Sequence, residues 1–476
     1  MRTSIVIDRA SAVPVHRQIY EAWRDGILAG RFAGGERMPS TRELARALGT
    51  SRSTVTQAYE QLIAEGYLES VHGSGTYVSR ELPDDLRRPR SPGPSGRAGT
   101  PTFRLSALAQ RLGAARPVAD RAPGSIDFTR LGPDVEQFPF TTWHRLLNRQ
   151  LRNPPGALFD YAGDAAGDPR LRAQIAAYVA RSRAVSCTAE QVVVLSGSQQ
   201  AIDFSARLLL DPGEPAVVEE PGYPGHRRVL EACGAQLCPV PVDAEGLVVE
   251  ALPAQARLVY VTPSHQFPTG VSMSLPRRLA LLDWAARRGA VIVEDDYDSE
   301  YRYHGPPLPA MQGLMTNAPV IYCGSFSKVM FPGLRIGYAI VPSELITPFR
   351  RLKWLTDRQN PGLEQAALAD FIADGHLERH IRRMRRLYGQ RRAVLVESLA
   401  EHFGEAAQVL GDAAGMHVMV RFADPDVAER ARRHKVQLID AAAYHLEGAP
   451  SGAYVLGYAP LGERAIREGV RRLAAG

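Results

Sequence analysis

The chain has 476 residues, of which 45% are hydrophobic and 23% charged, and it carries a net charge of +6 at pH 7. This length exceeds one ordinary core and predicts at least two domains of a soluble globular protein, while the mild charge does not by itself imply nucleic acid. No apolar run approaches the roughly 20 residues of a membrane span, and no signal core follows Met1, so we expect a cytoplasmic protein without a membrane partner. The four cysteines lack ligand spacing, which predicts reduced thiols and no metal site.

Residues 12–80 are predicted to form a small helical domain. Apolar residues recur at helical spacing in three stretches, and Ser40 and Ser51 stand where helix-capping residues belong. Gly49 supplies the turn before the third helix, which keeps a polar N-terminal face, so the spacing is that of a helix-turn-helix. The three helices are predicted at Val15 to Leu28, Thr41 to Leu48 and Arg52 to Ala64.

Two short alternating strands follow the third helix, at residues 67–71 and 76–78. They flank the tip His72-Gly73-Ser74-Gly75 and are predicted to pair as a two-stranded wing. Small residues at the tip would let the backbone approach a phosphate or the minor groove. A three-helix domain could also serve as a protein docking module, and the added wing favours DNA.

The stretch from Pro14 to Val78 resembles the GntR family of winged-helix regulators. The resemblance rests on Pro39-Ser40-Thr41-Arg42-Glu43-Leu44-Ala45 and on Ser51-Arg52-Ser53-Thr54-Val55. It implies that the domain binds double-stranded operator DNA, with arginines on phosphates or guanines. The contacts that it implies are Arg42, Arg52, Thr54, Gly73 and Gly75.

Residues 81–118 are rich in proline, arginine and glycine and have little to bury, which predicts a mobile, semi-extended linker. Within it, the amphipathic piece from Leu105 to Leu112 is expected to dock on one of the two domains. The second domain is then residues 119–476.

From about Ser125 onward, β-rich apolar runs alternate with helical stretches. This order predicts a mainly parallel sheet with helices on both faces, followed by a smaller C-terminal α/β subdomain. Ligands of such sheets bind at the carboxyl ends of the strands. The predicted strands are residues 191–195, 216–219, 258–262, 290–293, 320–323 and 336–341, and in the subdomain 417–422, 436–439 and 454–458.

Lysine is rare here, since only three of the 57 Lys+Arg residues are lysines. One of them, Lys328, ends the run Ser325-Phe326-Ser327-Lys328, seven residues before Arg335. Arginine cannot lose its proton to attack an aldehyde, so a retained amine is informative. A solvated loop cation is the alternative. The trio of Ser325, Lys328 and Arg335 predicts pyridoxal phosphate held as a Schiff base.

Other candidates also follow strands. The loop Ser196-Gly197-Ser198-Gln199-Gln200 precedes a helix and could bind an anion, although most such turns bind nothing. The acids Glu294 to Asp298 follow a buried strand, where a carboxylate needs a cation such as a protonated pyridine nitrogen. Tyr223 could stack on a planar ring, or it could be a core tyrosine.

Together these residues resemble the fold-type I pyridoxal-phosphate enzymes, the aspartate aminotransferase superfamily, over residues 126–475. The resemblance implies that Lys328 forms the Schiff base, Asp295 pairs with the pyridine nitrogen, Tyr297 bonds the 3′-hydroxyl and Tyr223 stacks on the ring. The phosphate would be held by Ser198, Gln199, Ser325 and Arg335. Tyr161 would reach the phosphate of the neighbouring subunit, which implies a homodimer.

Two positions depart from the enzyme pattern. Phe267 stands where the enzymes carry an asparagine that bonds the cofactor ring. Val455 stands where aminotransferases usually carry an arginine that grips the substrate carboxylate, which counts against ordinary amino-acid turnover.

A winged helix, a Pro/Arg linker and this second domain, in that order, resemble the MocR subfamily of bacterial transcription regulators. The expected function is a DNA-binding regulator that senses pyridoxal phosphate or a small amine or amino-acid effector, without efficient turnover. The alternative is an active aminotransferase with an accessory DNA-binding domain. A run of arginines between Arg382 and Arg392 is predicted to be a solvated helix face, with contact to DNA or an acidic effector as the lesser alternative.

Overall fold

The computed structural model describes residues 7–9, 11, 13–82, 103–112, 124–152, 156–158, 160, 163–305, 308–446, 448 and 450–475. The chain divides into two compact units, residues 1–103 and 104–476. Most of the predicted linker lies outside the described residues. The piece near Leu105 is described and belongs to the larger unit, where the Arg111 guanidinium donates to the Ala232 carbonyl oxygen at 3.0 Å.

The smaller unit packs three helices and a hairpin around one core. Trp23, Leu44, Val55 and Leu62 are buried within it. Ser40 caps the second helix through a capping box with Glu43, so two backbone donors are satisfied reciprocally. The elements are α1 (Val15–Leu28), α2 (Thr41–Leu48), α3 (Arg52–Ala64), β1 (Leu68–Val71) and β2 (Gly75–Val78), the two strands being antiparallel.

The larger unit alternates strands and helices, as the sequence predicts. Its helices are α4 (Ala107–Arg111), α5 (Phe140–Arg152), α6 (Pro169–Arg183), α7 (Ser198–Leu209), α8 (Pro224–Cys233), α9 (Leu275–Arg288), α10 (Ile346–Asp357), α11 (Gly362–Ala373), α12 (His376–Phe403), α13 (Val427–Arg433) and α14 (Glu463–Ala474). Its strands are β3 (Ile126–Asp127), β4 (Val192–Leu195), β5 (Pro215–Glu220), β6 (Gln236–Asp243), β7 (Gly246–Leu247), β8 (Leu258–Val261), β9 (Val291–Asp296), β10 (Val320–Ser325), β11 (Gly337–Ile340), β12 (Ala407–Leu410), β13 (His417–Phe422), β14 (Val436–Gln437), β15 (Ile439–Asp440) and β16 (Ala453–Gly457).

The central sheet has eight strands in the order β4-β11-β10-β9-β8-β5-β6-β7. Neighbours from β10 through β6 are parallel, while β11 is antiparallel to both β10 and β4. The mainly parallel sheet is therefore confirmed. Because β11 runs the other way, its start meets the carboxyl ends of β4 and β10 at one edge.

The C-terminal subdomain holds a second sheet in the order β12-β13-β16-β15, and β14 pairs instead with β3. The predicted strand at 436–439 is thus two short strands in two different sheets. The C-terminal subdomain and the central sheet share a large apolar cluster, in which Phe128, Tyr322 and Leu456 are buried. No described helix combines the length and apolar character needed to cross a bilayer.

Candidate functional site

Three chain segments meet at the edge where β4 and β10 end and β11 begins. Ser325 on β10 is paired with Gly337 on β11, and Gly337 is also paired with Leu195 on β4. The topology therefore brings the loop after Leu195, the turn after Ser325 and Arg335 together. This is the strand-end position where open α/β sheets hold their ligands.

A cavity of about 190 Å³ opens beside this edge. Five of the nine predicted cofactor-binding residues line it, together with six residues that the sequence analysis did not assign to the cavity as ligands. The predicted five are Ser198, Tyr223, Asp295, Tyr297 and Lys328, and the others are Leu131, Tyr260, Thr262, Phe267, His417 and Tyr444.

Lys328 lies in the turn just after β10 and points an amine into this cavity. Its Nζ donates to the Leu131 carbonyl oxygen at 3.0 Å. Burial lowers the pKa of Lys328, and the carboxylates of Asp298 and Asp295 oppose that shift. A lowered pKa makes the neutral, nucleophilic amine more accessible near neutral pH.

The consecutive acids at the end of β9 have different partners. Glu294 accepts the backbone N–H groups of Met311 and Gln312, and Asp296 forms a buried ion pair with Arg183 at 2.7 Å. Of these three acids, Asp295 alone lines the cavity, and its Oδ1 has no hydrogen-bond partner within the described residues.

Asp295 is held in place by residues that the sequence analysis missed. The Tyr260 hydroxyl donates to Asp295 Oδ2 at 2.7 Å, and the His226 ring stacks on Tyr260 with 3.8 Å between centroids. Burial raises the pKa of Asp295 to about 6, with the Tyr260 hydrogen bond acting against it. Burial also lowers the pKa of His226 well below its usual value, so this ring is neutral.

A second buried cluster lies behind Tyr297. The Tyr297 hydroxyl is 3.0 Å from His265 Nδ1, which is 3.1 Å from both oxygens of Asp298. Burial keeps the pKa of Tyr297 well above its usual value, so the hydroxyl retains its proton. His265, Asp298 and His417 place one ligand atom each within 4.8 Å of one another, a spacing that could hold a metal ion and that the sequence did not predict.

The predicted anion loop stands at the start of α7. Gly197 has φ 101, a left-handed value that suits glycine, and a side chain there would meet the Arg335 guanidinium. Arg335 itself has φ 51 and donates to the Ser196 carbonyl oxygen at 2.6 Å. The first N–H groups of α7 have no partner within the helix, so with Ser198 and Arg335 they can hold a phosphate.

Two predicted phosphate residues form side-chain hydrogen bonds to nearby backbone groups. Gln199 donates to the Gly225 carbonyl oxygen at 3.2 Å, and Ser325 accepts from the Ser327 N–H at 3.2 Å. Tyr161, predicted to serve the neighbouring subunit, lies outside the described residues. The phosphate roles of these three residues stay predictions.

A fully buried lysine braces the anion loop. Lys353 Nζ donates to Asn360 Oδ1 at 2.6 Å, to Asp357 Oδ2 at 2.9 Å and to Gln200 Oε1 at 3.2 Å. Gln200 Oε1 also accepts the Ser196 N–H, and Asn360 donates to the Ser196 hydroxyl. Beyond the rarity of lysine in the chain, no sequence pattern indicates this role for Lys353.

Aromatic and apolar side chains form the remaining walls. Tyr223 is 42% exposed and meets Phe267 edge to face at 5.5 Å, so part of its side chain remains accessible beside the cavity. Phe267 is buried, as is Val455, and the two share an apolar cluster with Tyr444. The two positions that depart from the enzyme pattern are therefore packed together.

On the smaller unit, Arg42 and Arg52 are exposed on neighbouring helices. Arg52 Nε donates to the Thr41 hydroxyl at 3.3 Å, which orients its guanidinium. Thr54 is partly buried, and its hydroxyl lies 2.7 Å from that of the capping residue Ser51. A hydroxyl used at the cap is less free to reach a base, so the two arginines are the stronger candidates.

The wing tip is shaped by glycine. Gly73 has φ 75 and Gly75 has φ 134, values that other residues rarely adopt. Arg37, which the sequence analysis missed, donates to the Ser74 carbonyl oxygen at 2.8 Å and lies against Gly75. It places an exposed guanidinium beside the tip.

The arginine run on α12 was predicted as a solvated face, and this prediction is wrong for Arg385, Arg391 and Arg392, which are buried or partly buried, whereas Arg383 is exposed. Arg391 is buried against Asp134, and Arg392 donates to the Asp412 carbonyl oxygen. Arg383 and Arg385 donate to the carbonyl oxygens of Gln137 and Glu300. The guanidinium groups of Arg385, Arg391 and Arg392 satisfy backbone oxygens of the larger unit.

Two family models match the chain. Residues 15–78 match the model for bacterial regulatory proteins of the gntR family, and residues 145–452 match aminotransferase class I and II. The chain is 43% identical to a probable rhizopine catabolism regulatory protein, MocR of Rhizobium meliloti, over 98% of this chain and 95% of that protein. It is 31% identical to the pyridoxine biosynthesis regulator PdxR of Corynebacterium glutamicum, over 83% of this chain and 81% of that one.

Solved structures resemble the larger unit. A kynurenine aminotransferase from Pyrococcus horikoshii, solved in complex with PMP, is 29% identical with a TM-score of 0.68, covering 74% of this chain and 90% of that one. The fold-type I aminotransferase fold is thereby confirmed. The order of domains, the two family models and the similarity to MocR over nearly the whole chain identify it as a member of the MocR subfamily of GntR-type, helix-turn-helix transcription regulators.

Proposed function

We propose that this chain is a pyridoxal-phosphate-dependent transcription regulator whose larger unit binds the cofactor at Lys328 and whose winged helix binds operator DNA. The observation that carries the proposal is that Lys328 and Asp295 line the same small cavity. One contributes an amine with a lowered pKa, and the other contributes a buried carboxyl with an oxygen that has no hydrogen-bond partner within the described residues. This is the pair that an aldehyde on a protonated pyridine ring requires.

The residues fit that group. When bound, pyridoxal phosphate supplies an aldehyde that captures amines and a ring that withdraws electrons. Lys328 would hold the aldehyde carbon, Asp295 the ring nitrogen, and Tyr297 would donate its retained proton to the 3′-hydroxyl. Ser198 and Arg335 would hold the phosphate, with Gln199 and Ser325 beside them. Tyr223 would stack on the ring, and Tyr161 would come from the partner of a homodimer.

The apolar surroundings of Val455 favour a regulator over a working aminotransferase. This side chain is fully buried among apolar neighbours, so it offers no cation to a substrate carboxylate. The proposed activity is therefore effector binding without efficient turnover. An aminotransferase would show steady transfer between an amino acid and a keto acid, which separates the two candidates by experiment.

The DNA side of the proposal rests on exposed arginines. Arg42 and Arg52 would contact phosphates or guanines, with Thr54 at the same helix start and with Gly73 and Gly75 at the wing tip. Residues 12–80 would be the DNA-binding domain, 81–118 the linker and 119–476 the effector domain. We place the protein in the bacterial cytoplasm, on the nucleoid when DNA is bound.

Signalling requires that the effector bind two states of the dimer unequally. Pyridoxal phosphate or a small amine would shift the larger unit between these states, and the linker would transmit the change to the DNA-binding domains.

Lys328→Ala tests the cofactor assignment. The purified wild-type chain, incubated with pyridoxal phosphate, should develop a visible absorbance band that Lys328→Ala lacks, while Lys435→Ala, at an exposed lysine, should keep it. An unchanged spectrum in Lys328→Ala would refute the assignment. Circular dichroism of both variants confirms that they fold.

A further inference from the structure

One helix of the larger unit joins the proposed cofactor site to the linker. Helix α8 begins directly after Tyr223, which lines the cavity, and it ends at Cys233. Its last turn contacts α4, the short helix that lies within the predicted linker. The ten residues of α8 form a rod about 15 Å long. Because a helix of this length is stiff, a displacement at one end is carried to the other.

The first turn of α8 contacts three parts of the proposed cofactor site. Its capping residue would stack on the ring. The Gly225 carbonyl oxygen accepts a hydrogen bond from Gln199 of the anion loop at 3.2 Å. His226 stacks on Tyr260, whose hydroxyl donates to Asp295. A bound cofactor would therefore fix the start of α8 through its ring, its phosphate and its ring nitrogen.

The last turn of α8 holds the linker through one arginine. Two nitrogens of Arg111 donate to the Ala232 carbonyl oxygen, at 3.0 Å and 3.1 Å. A helix leaves the carbonyl oxygens of its last turn without helical partners, and its dipole favours a cation there. Gly234 ends the helix with φ 88, and a side chain at this position would contact the Arg111 guanidinium. The end of α8 therefore offers an accessible acceptor that matches the charge of Arg111.

The attachment of α4 is weak enough to be reversible. Every residue from 103 to 112 is exposed except Ala109, which is partly buried. Because α4 has five residues, it does not persist alone in water, where isolated helices need about 12–15 residues. With little surface buried, the order of α4 depends on the Arg111 contact. Segments with few buried contacts are the first to open in a native protein.

Release of α4 would lengthen the connection between the two units. With Arg111 held, this connection runs from Leu82, the last described residue before the linker gap, to Arg104, where the larger unit begins. Without that contact it could extend to Gly124, which nearly doubles the number of residues and the greatest reach. In a homodimer, a longer connection lowers the effective concentration of the second DNA-binding domain at the operator once the first has bound.

Building on the proposed function, we propose that Arg111 is the residue through which the cofactor controls the linker. By fixing the start of α8, pyridoxal phosphate strengthens the docking of α4 at its end. Both events order the same helix, so each reduces the entropy that the other must lose. The docked linker shortens the connection and favours the operator complex. Arg111 does not line the cavity, so it acts as a positioning residue.

Hydrogen exchange of the full-length chain tests the docking directly. Pyridoxal phosphate should slow exchange of the amides of residues 107–112 by at least about fivefold, the lower end of ordinary coupling between two sites. In Arg111→Ala these amides should exchange fast with and without the cofactor. Arg104→Ala, at an exposed arginine of the same segment, is the control and should behave as the wild type. Equal exchange in the wild type with and without the cofactor would overturn the proposal.

DNA binding tests the consequence of docking. DNA selected from a random pool by the wild-type chain is titrated with and without saturating pyridoxal phosphate. The cofactor should raise the affinity of the wild type by at least about fivefold and that of Arg111→Ala by less than about twofold. No rise in the wild type, or the full rise in Arg111→Ala, would contradict the proposal.

Cofactor affinity gives a third measurement. Because coupling between two sites is reciprocal, Arg111→Ala should also weaken binding of pyridoxal phosphate, by up to the same factor, although this residue lies outside the cavity. Circular dichroism confirms that the variant folds. Failure of the cofactor band to form in the wild type would refute the proposed function. A normal band with unchanged exchange of α4 would overturn this inference alone, so the two failures are distinguishable.

Discussion

The two units of this chain place their candidate functional groups in opposite surroundings. In the smaller unit Arg42 and Arg52 are exposed and close in sequence. In the larger unit Asp295 is buried, Lys328 is mostly enclosed, and the pKa of each is shifted. Reading DNA requires charges at the surface, whereas holding a reactive aldehyde requires a site with restricted access to water. Substitutions in the smaller unit should therefore change DNA binding, and substitutions in the larger unit should change cofactor binding.

The largest expected effect is on the cofactor side. Asp295→Asn keeps the shape but removes the charge, and we expect it to weaken pyridoxal phosphate binding by about 1.5–3 kcal/mol. Fluorescence titration of the full chain measures this. DNA affinity without cofactor should not change, and a matching loss of DNA binding would break the separation between the units.

Asp295 also predicts a pH dependence. Its pKa is raised to about 6 in the free protein, so below that pH the carboxyl is protonated. The complex with a ring cation needs the carboxylate, so binding must release a proton below pH 6. Affinity should therefore rise from pH 5 and level off above about pH 6. Asp295→Asn should lose this part of the pH dependence.

Lys353→Met should weaken binding of the cofactor's phosphate group without weakening binding of its ring. The buried ammonium holds the Ser196 to Gln200 loop, and its loss should lower the free energy of unfolding by about 1–3 kcal/mol. Binding of pyridoxal phosphate should weaken while binding of pyridoxal, which lacks the phosphate, should not. Lys435→Met is the exposed control. Equal loss for both ligands would remove the loop-bracing role.

On the DNA side, Arg52→Ala should weaken binding by about 1–3 kcal/mol and relax specificity if the guanidinium is bidentate to guanine. Arg37→Ala, at the wing, should weaken all sequences alike and reduce the salt slope by about 1. DNA selected from a random pool by the wild-type chain serves for both measurements. The exposed Arg31→Ala is the control, and unaltered affinity in Arg52→Ala would remove this residue from the interface.

The smallest effect is expected at a helix cap. Ser40→Ala removes one half of the capping box on α2 and should cost about 1 kcal/mol of stability in the smaller unit. Thermal melting should show it, and the cofactor band should stay the same. A change in the cofactor band would contradict the independence of the two units.

The helices of the smaller unit could be predicted to the residue, and its two strands to within one residue, because the signals are local. Ser40, Gly49 and Ser51 set the ends of α2 and α3 at the observed positions. Strand β6 was missed, since Pro239 and Pro241 in its sequence argue against a strand. The short strand β12 and the division of 436–439 between two sheets were missed as well.

The cavity could be predicted only in part. Lys328 and Asp295 are marked by a rare residue type and by a strand end. His265, His417 and Tyr260 come from separate elements, and their shared environment exists only once the chain folds. Nothing near them in the sequence signals that these side chains meet, and the roles of Gln199, Ser325 and Tyr161 remain predictions.

The scarcity of lysine has a practical consequence. Lys353 is fully buried and Lys435 is exposed, while Lys328 faces the cavity. A lysine-specific protease would therefore meet one surface target among the described residues of the native chain. Reductive trapping of an aldehyde would mark a single tryptic peptide, so mass spectrometry could identify the modified nitrogen directly.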